Sequence, residues 1–163
     1  MQGRPLPEPS PLTAGFWEAA ADGRLVLQRC DACGRHRHYP QHRCPHCREA
    51  AWRWAAANGR GRIHSFTVTH HAFHPAWTGR TPYVVATVQL DEGVRVVTDM
   101  DEDPAIVRID APVEVFFEDT GGGRALPRFR IAGRPASAPA DRDGRPAARR
   151  GAADTHTTTE GNT

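Results

Sequence analysis

Cys30-Asp31-Ala32-Cys33, followed after a short interval by Cys44-Pro45-His46-Cys47, is the stretch that decides the fold. The four thiols read as C-x2-C-x10-C-x2-C. Two pairs at this spacing make the two knuckles of a zinc ribbon, each turning two thiolates toward one tetrahedral ion. The spacer is shorter than the about 15–20 residues common between such pairs, yet it is ample for a ribbon hairpin. Gly34 follows Cys33 and suits the left-handed conformation that aims backbone amides at sulfur. Pro45 follows Cys44 and fixes the entry to the second knuckle. There the position matching Gly34 is Arg48, where a left-handed backbone costs about 1–2 kcal/mol. Structural zinc supplies about 10–16 kcal/mol of apparent binding energy to small domains, so the metal wins that comparison. Four thiolates close the coordination sphere and leave no position for water or substrate, so Cys30, Cys33, Cys44 and Cys47 are expected to hold a structural ion. Iron in a rubredoxin-like site is the weaker fit to the same knuckles, because nothing else in the chain suggests electron transfer. Redox-active C-x-x-C pairs, or four unrelated thiols, are the remaining alternatives.

Upstream of the ribbon, residues 1–10 are rich in proline and read as a loose arm. Thr13 to Asp22 reads as a short helix, with Leu12, Phe16, Trp17 and Ala20 at helical spacing and Gly23 as its stop. So short a helix is marginal alone, and its Phe16-Trp17 pair needs a surface to cover, in this chain or in another. Leu25-Val26-Leu27 is a strand-like lead into the first knuckle.

Downstream the pattern becomes β. Candidate strands are Arg62–Thr69, Tyr83–Leu90, Val94–Met100, Val113–Glu118 and Arg128–Ile131, bounded by turn signals at Asp91-Glu92-Gly93 and Gly121-Gly122-Gly123. Pro104–Val107 reads as a helical turn. Five short strands in this length suit a small barrel such as the OB-fold, although other five-strand arrangements share the pattern. Residues 133–163 carry no aromatic and no aliphatic side chain larger than alanine. They cannot offset the entropy of ordering and are expected to be a disordered tail. The fold class that results is mainly β: a short N-terminal helix, a rubredoxin-like zinc ribbon and a five-stranded OB-fold barrel. The expected divisions are an arm and helix over 1–23, the ribbon over 24–58, the barrel over 59–132 and the tail over 133–163.

Charge is segregated. Residues 24–62 hold nine arginines against Asp31 and Glu49, a net +7, whereas residues 63–132 hold six arginines against ten acids, a net −4. The basic segment suits a phosphate-bearing ligand or an acidic partner. No apolar run approaches the ~20 residues of a membrane-spanning helix, and the N-terminus lacks a signal-peptide core, so a cytoplasmic protein without membrane contact is expected. Reduced thiols in that compartment again favour metal over disulfides.

Other candidate chemistry is thin. His36, His38, His42 and His46 lie in or between the knuckles, but the thiolates already saturate the ion, so solvated or phosphate-facing roles are expected of them. His70, His71 and His74 follow the first barrel strand without a nucleophile, a carboxylate pair or an oxyanion loop beside them. No catalytic residue is assigned.

The residues nevertheless resemble a known family, the zinc-ribbon plus OB-fold proteins that accompany acyl-CoA enzymes. Its landmarks run in order from Phe16-Trp17 through Arg29-Cys30, Cys33-Gly34, Cys44-Pro45, Cys47 and Trp54. They continue through Gly59, Gly61, Ile63 and Ser65-Phe66-Thr67-Val68 to Pro82-Tyr83-Val84-Val85-Ala86. Asp91-Glu92-Gly93-Val94-Arg95, Pro112-Val113-Glu114-Val115, Phe117, Pro127 and Phe129 complete the match. Gln41 and Arg48 depart from it, where relatives often carry proline and glycine. The resemblance implies a non-catalytic accessory subunit, not an enzyme by itself. It would dock on a thiolase-like, hydratase-like or aldolase acyl-CoA enzyme and help bind or channel CoA thioesters. Phe16 and Trp17 are the expected partner interface. The loop after the first barrel strand, where OB-folds commonly bind, offers Phe73, Trp77 and Arg80 as expected ligand contacts. The competing function is a zinc-ribbon/OB nucleic-acid-binding module, which the +7 segment favours and the acidic barrel opposes.

Overall fold

The apolar lead into the first cysteine becomes the centre of a small sheet. In the computed structural model, which describes residues 5–134, β1 (Val26–Cys30) lies between β2 (His36–Arg37) and β3 (Trp52–Ala56), all antiparallel. β3 is not among the strands expected from the sequence. Trp52-Arg53-Trp54-Ala55-Ala56 has no β-branched residue, and it becomes a strand by pairing with the whole of β1, from Val26↔Ala56 to Cys30↔Trp52. Gln28, in the middle of β1, is fully buried, and its Oε1 accepts from Arg37 Nε at 2.7 Å and from the Gln41 amide at 2.8 Å. Arg37 Nη2 donates to the Gln41 carbonyl at 3.1 Å, so the segment after β2 is tied to β1 by side chains.

The expected helix is α1 (Ala14–Ala21). Thr13 makes no side-chain cap bond to the helix, but Ser10 and Thr13 bond each other, and the Ser10 carbonyl takes the amides of Thr13 and Ala14. Gly23 ends it in the left-handed region at φ 71°, with Arg24 N donating back to Ala19 O at 2.8 Å. Packing holds so short a helix. Phe16 is 6% exposed within the core, a burial worth about 1.5–3 kcal/mol. Gly15 faces the Trp54 indole so closely that a Cβ there would force the indole to move. The described residues of the arm have no regular structure and are mostly exposed; Leu6, Pro7 and Pro9 lie by Trp17 and Leu126, and Glu8 sits 3.5 Å from Arg124.

The barrel strands are β4 (Arg60–Thr69), β5 (Tyr83–Leu90), β6 (Arg95–Met100), β7 (Pro112–Gly121) and β8 (Arg124–Ile131). Their order, β6-β5-β4-β7-β8, is that of an OB-fold barrel. β5 alternates half-buried and buried residues along its whole length, the period that made it legible. β7 and β8 extend past the expected bounds as one long hairpin, in register from Val113↔Ile131 to Gly121↔Arg124. Pro127 is tolerated because the far edge of β8 carries no strand ladder. Pro104–Val107 is a plain turn and not helical, and its Val107 is fully buried in the core.

β6 and β8 close the barrel without a backbone ladder. Arg128, 3% exposed at its side chain, bridges the seam instead. It reaches Asp99 at 2.9 Å, Asp101 at 2.6 Å and Glu118 at 3.2 Å. Burial opposes its charge, but the Asp101 hydrogen bond and the charges of Asp99, Asp101 and Glu118 prevail and raise its pKa further. A single core runs through helix, ribbon stem and barrel, with Phe16, Leu27, Ile63, Val88, Val113 and Phe129 all in it. The tail expected over 133–163 lies, from residue 135 onward, outside the described residues. Among the described residues no helix is long and apolar enough to cross a membrane.

Candidate functional site

The knuckles bring all four cysteine sulfurs within 4.8 Å of one another. Each knuckle closes in the same way. Gly34 N donates to Cys30 O at 3.0 Å with φ 70°, and Arg48 N donates to Cys44 O at 2.9 Å with φ 67°. Arg48 therefore takes the left-handed conformation that its position demands. Two sulfur pairs cross between knuckles, Cys30–Cys47 at 3.5 Å and Cys33–Cys44 at 3.6 Å. Those separations far exceed the ~2.05 Å of a disulfide. They approach the edge of about 3.8 Å that follows from a tetrahedron of zinc–sulfur bonds of ~2.3 Å. The donor set and its geometry fit a tetrahedral thiolate-bound ion.

The electrostatics fit as well. The Cys33 amide, outweighing burial, lowers the Cys30 thiol, with help from the Ala32 amide. The Cys47 amide, again outweighing burial and joined by the His46 amide, brings Cys44 to about 6. Cys47 behaves oppositely. The Glu49 amide pulls it down, but burial and the sulfurs of Cys30, Cys33 and Cys44 overcome that pull and push it up to about 12. Backbone dipoles thus prepare some thiolates, and mutual repulsion resists the last one. A divalent cation removes that conflict, which is the chemical logic of a metal cluster.

Away from the knuckles the structure opens a mostly apolar cleft of about 460 Å³ between α1, the ribbon corner at residues 38–40 and the barrel seam. Trp17 and Trp77 both line it. Trp77 ends a 3-10 turn, Pro75–Trp77, started by His74, whose Nδ1 accepts from the Ala76 amide at 3.1 Å. Phe73 and Arg80 do not line the cleft: Phe73 is 80% exposed and meets the His71 ring edge-on, and Arg80 lies 3.8 Å from Asp101. Arg80 N donates to Trp77 O at 3.0 Å, and Trp77 lines the cleft together with Trp17. Phe16 buries its area within the chain, 4.9 Å from the Trp17 ring.

Sequence reasoning missed His38, Tyr39 and Val97 as walls of this cleft. His38 is a correction: it is neither solvated nor phosphate-facing but packs 5.5 Å from Phe16 and 4.2 Å from Tyr39. Desolvation lowers its pKa to about 4 and keeps it neutral. The signal available was the hydrophobic context of Tyr39-Pro40 beside it.

Comparison with known proteins places these features in a lineage. Residues 17–53 match the family described as ChsH2, rubredoxin-like zinc ribbon domain, and residues 54–118 match ChsH2, C-terminal OB-fold domain. A probable enoyl-CoA hydratase alpha subunit of Thermomonospora curvata is 42% identical over 130 residues, covering 79% of this chain and 40% of that protein. The chain therefore spans about two fifths of that relative's length. A DUF35 domain-containing scaffold protein of Methanothermobacter thermautotrophicus is 35% identical over 95 residues, 57% of this chain and 71% of that protein. The solved structure of an Ltp2-ChsH2(DUF35) aldolase contains a chain 41% identical to this one. It superposes with a TM-score of 0.70 over 78% of this chain and 99% of that one. With both of its sheets and all four cysteines accounted for in this way, the chain belongs to the DUF35 family of zinc-ribbon and OB-fold proteins.

Proposed function

We propose that the chain is a non-catalytic scaffold subunit that docks on an acyl-CoA enzyme of the hydratase, aldolase or thiolase-like type and helps to hold its CoA thioester. The observation that carries this reading is the likeness along nearly the whole of a DUF35 chain solved as part of an aldolase. The described residues add support. Their titratable clusters comprise the closed cysteine set and the ion pairs of the barrel seam, and neither presents a nucleophile with a base in reach. Cys30, Cys33, Cys44 and Cys47 hold one zinc ion, which folds the ribbon and takes no part in chemistry. Phe73, Trp77 and Arg80, on the loop between β4 and β5, lie along the thioester's path, with the aromatics against pantetheine and the guanidinium toward phosphate. Trp17 and the end of α1 contribute to the partner interface.

The nucleic-acid reading loses ground in the arrangement of the arginines. Within the +7 segment Arg37 is buried, Arg53 pairs with Asp31, and Arg29 and Arg43 donate to backbone carbonyls. Co-expression with a candidate hydratase-type or aldolase-type subunit, followed by size-exclusion chromatography and an acyl-CoA turnover assay, tests the proposal. A stable complex that turns over, beside a lone chain that does not, is the expected result. Turnover by the purified chain alone overturns it.

A further inference from the structure

The four sulfurs of the knuckles are not equally protected. Cys30 and Cys44 are buried, at 0% and 2% exposed, whereas Cys33 is half-buried and Cys47 is exposed. Each of the two cross-knuckle pairs therefore joins a buried sulfur to a more accessible one, Cys47 to Cys30 at 3.5 Å and Cys33 to Cys44 at 3.6 Å. Sulfur oxidation needs that arrangement: one thiolate that an oxidant in solution can reach, and a second close enough to resolve it.

The surface around Cys47 favours the reaction. Arg43 and Arg48 are both exposed, and Arg43 Nη1 donates to the Arg48 carbonyl at 3.2 Å. Among the described residues the Arg48 guanidinium has no hydrogen-bond or ion-pair partner. Glu49, the acid of that knuckle, turns its Oε1 to the amides of Ala50 and Ala51 at 2.6 and 2.9 Å. Cationic surroundings make an accessible cysteine more reactive and stabilise negative charge as it leaves. Arg48 holds φ 67°, where glycine would sit without strain. A strained residue that sets an unpaired cation directly after an exposed cysteine serves function more than folding.

We propose that the cysteine cluster is an oxidant-responsive switch, in which Cys47 reacts first with a peroxide, Cys30 resolves it and the metal leaves. The switch rests on the zinc reading above and goes beyond the scaffold role, which needs the ion only to hold the ribbon. A metal-bound cysteine is a thiolate outright. The Cys47 sulfur attacks one peroxide oxygen and the O–O bond breaks. Cys47 becomes a sulfenic acid, and the other oxygen leaves as hydroxide. The Cys30 thiolate then attacks the Cys47 sulfur, so that the S–S bond forms, the S–O bond breaks and a second hydroxide leaves. Two protons from solvent turn both hydroxides into water. One peroxide is thereby reduced by two electrons, and one thiolate pair is oxidised by two. The ion, left with two ligands, is released without a change of oxidation state. Cys33 and Cys44 close in the same way on a second peroxide.

Hydrogen peroxide added to the full, zinc-loaded chain, freed of reductant, tests it. A chromogenic chelator reads the metal released, and peptide mass spectrometry reads the disulfides. Release of the bound zinc is expected, with two peroxides consumed per chain and with Cys30–Cys47 and Cys33–Cys44 disulfides formed. Dithiothreitol with added zinc should restore the starting state. Arg48→Gly suits the left-handed backbone, so it should keep the melting temperature. It should slow release by about three- to tenfold, the worth of one net hydrogen bond. Arg48→Lys keeps the charge and should retain most of the wild-type rate. Metal analysis before oxidation separates the switch from the reading beneath it. A chain purified with zinc that keeps it in a large excess of peroxide overturns the switch and leaves the metal site standing. A chain purified with neither zinc nor iron overturns both. Disulfides confined to the knuckles, Cys30–Cys33 and Cys44–Cys47, overturn Cys30 as the resolving thiol and with it the proposal. Release at the wild-type rate from Arg48→Gly overturns the part given to the cation.

Discussion

Arg128→Met removes the cation at the barrel seam and keeps most of its apolar length, so it isolates the charge. The wild-type guanidinium is 3% exposed at its side chain and contacts Asp99, Asp101 and Glu118, whose side chains are 26%, 48% and 33% exposed. Removing one member of a fully buried ion pair costs about 3–5 kcal/mol, because the other charge is stranded. Here the acids are partly solvated and screened, which lowers the expectation to about 2–4 kcal/mol. The described part of the chain runs over residues 5–134. For a domain of that size each kcal/mol moves the midpoint by roughly 3–5 °C, so a fall of about 6–20 °C is expected. Calorimetry of the zinc-loaded protein at neutral pH and low salt measures it, and added salt should narrow the gap. Adding Asp99→Asn and Glu118→Gln to Arg128→Met should restore about half of the loss, since two of the three stranded charges are then gone and only Asp101 remains. A fall of less than about 3 °C would refute the seam's dependence on the guanidinium. A full-sized fall without recovery would assign the loss to packing, notably the Phe116 ring 5.6 Å from the guanidinium carbon.

Cys44→Ser should release the metal and unfold the ribbon, with metal analysis falling from one zinc per chain toward none; a wild-type preparation with neither zinc nor iron would remove the premise. His38 has a folded pKa of about 4 against an ordinary 6.5, so its contribution is fully present above pH 6.5 and is lost as pH falls through 4. That shift is worth at most about 3 kcal/mol, and denaturant titrations of His38→Phe between those limits should lack that part of the wild-type pH dependence. Truncation after Arg134 should leave the melting temperature within about 2 °C, because the segment removed has no core-forming side chain; a larger drop would mean that it docks on the barrel.

Much of the fold was legible because it is written locally. The cysteine spacing specifies the knuckles, and Gly34 and Gly23 mark left-handed positions that the backbone occupies. The alternation of Tyr83–Leu90 announces a strand buried on one face. β3 was hidden because Trp52–Ala56 has no β-branched residue and ends in two alanines, and it owes its conformation to pairing with β1. The full length of β8 was hidden by Pro127, harmless on an unladdered edge. The seam and the cleft were the least legible parts. Arg128 meets acids 27 and 29 residues away, and the cleft joins α1, the ribbon corner and β6, which no local pattern connects. His38 was misread for the same reason, since the Phe16 ring that packs beside it comes from α1, distant in sequence.

The buried Gln28 carbonyl oxygen bears on how this lineage can change length. By taking both Arg37 Nε and the Gln41 amide, it fixes the number of residues that can lie between β2 and that amide. An insertion inside residues 38–40 would break one of these two hydrogen bonds and displace a wall of the cleft. The knuckle side is constrained too, because Cys44 N donates to Glu49 O at 2.8 Å. Between Arg37 and Cys44, length variation is therefore favoured at His42 and Arg43. The open glycine turn at residues 121–123, with no side-chain neighbour within 4 Å of where a Cβ would sit, is free to grow. Homologues aligned on this chain should show their gaps and insertions distributed in that way.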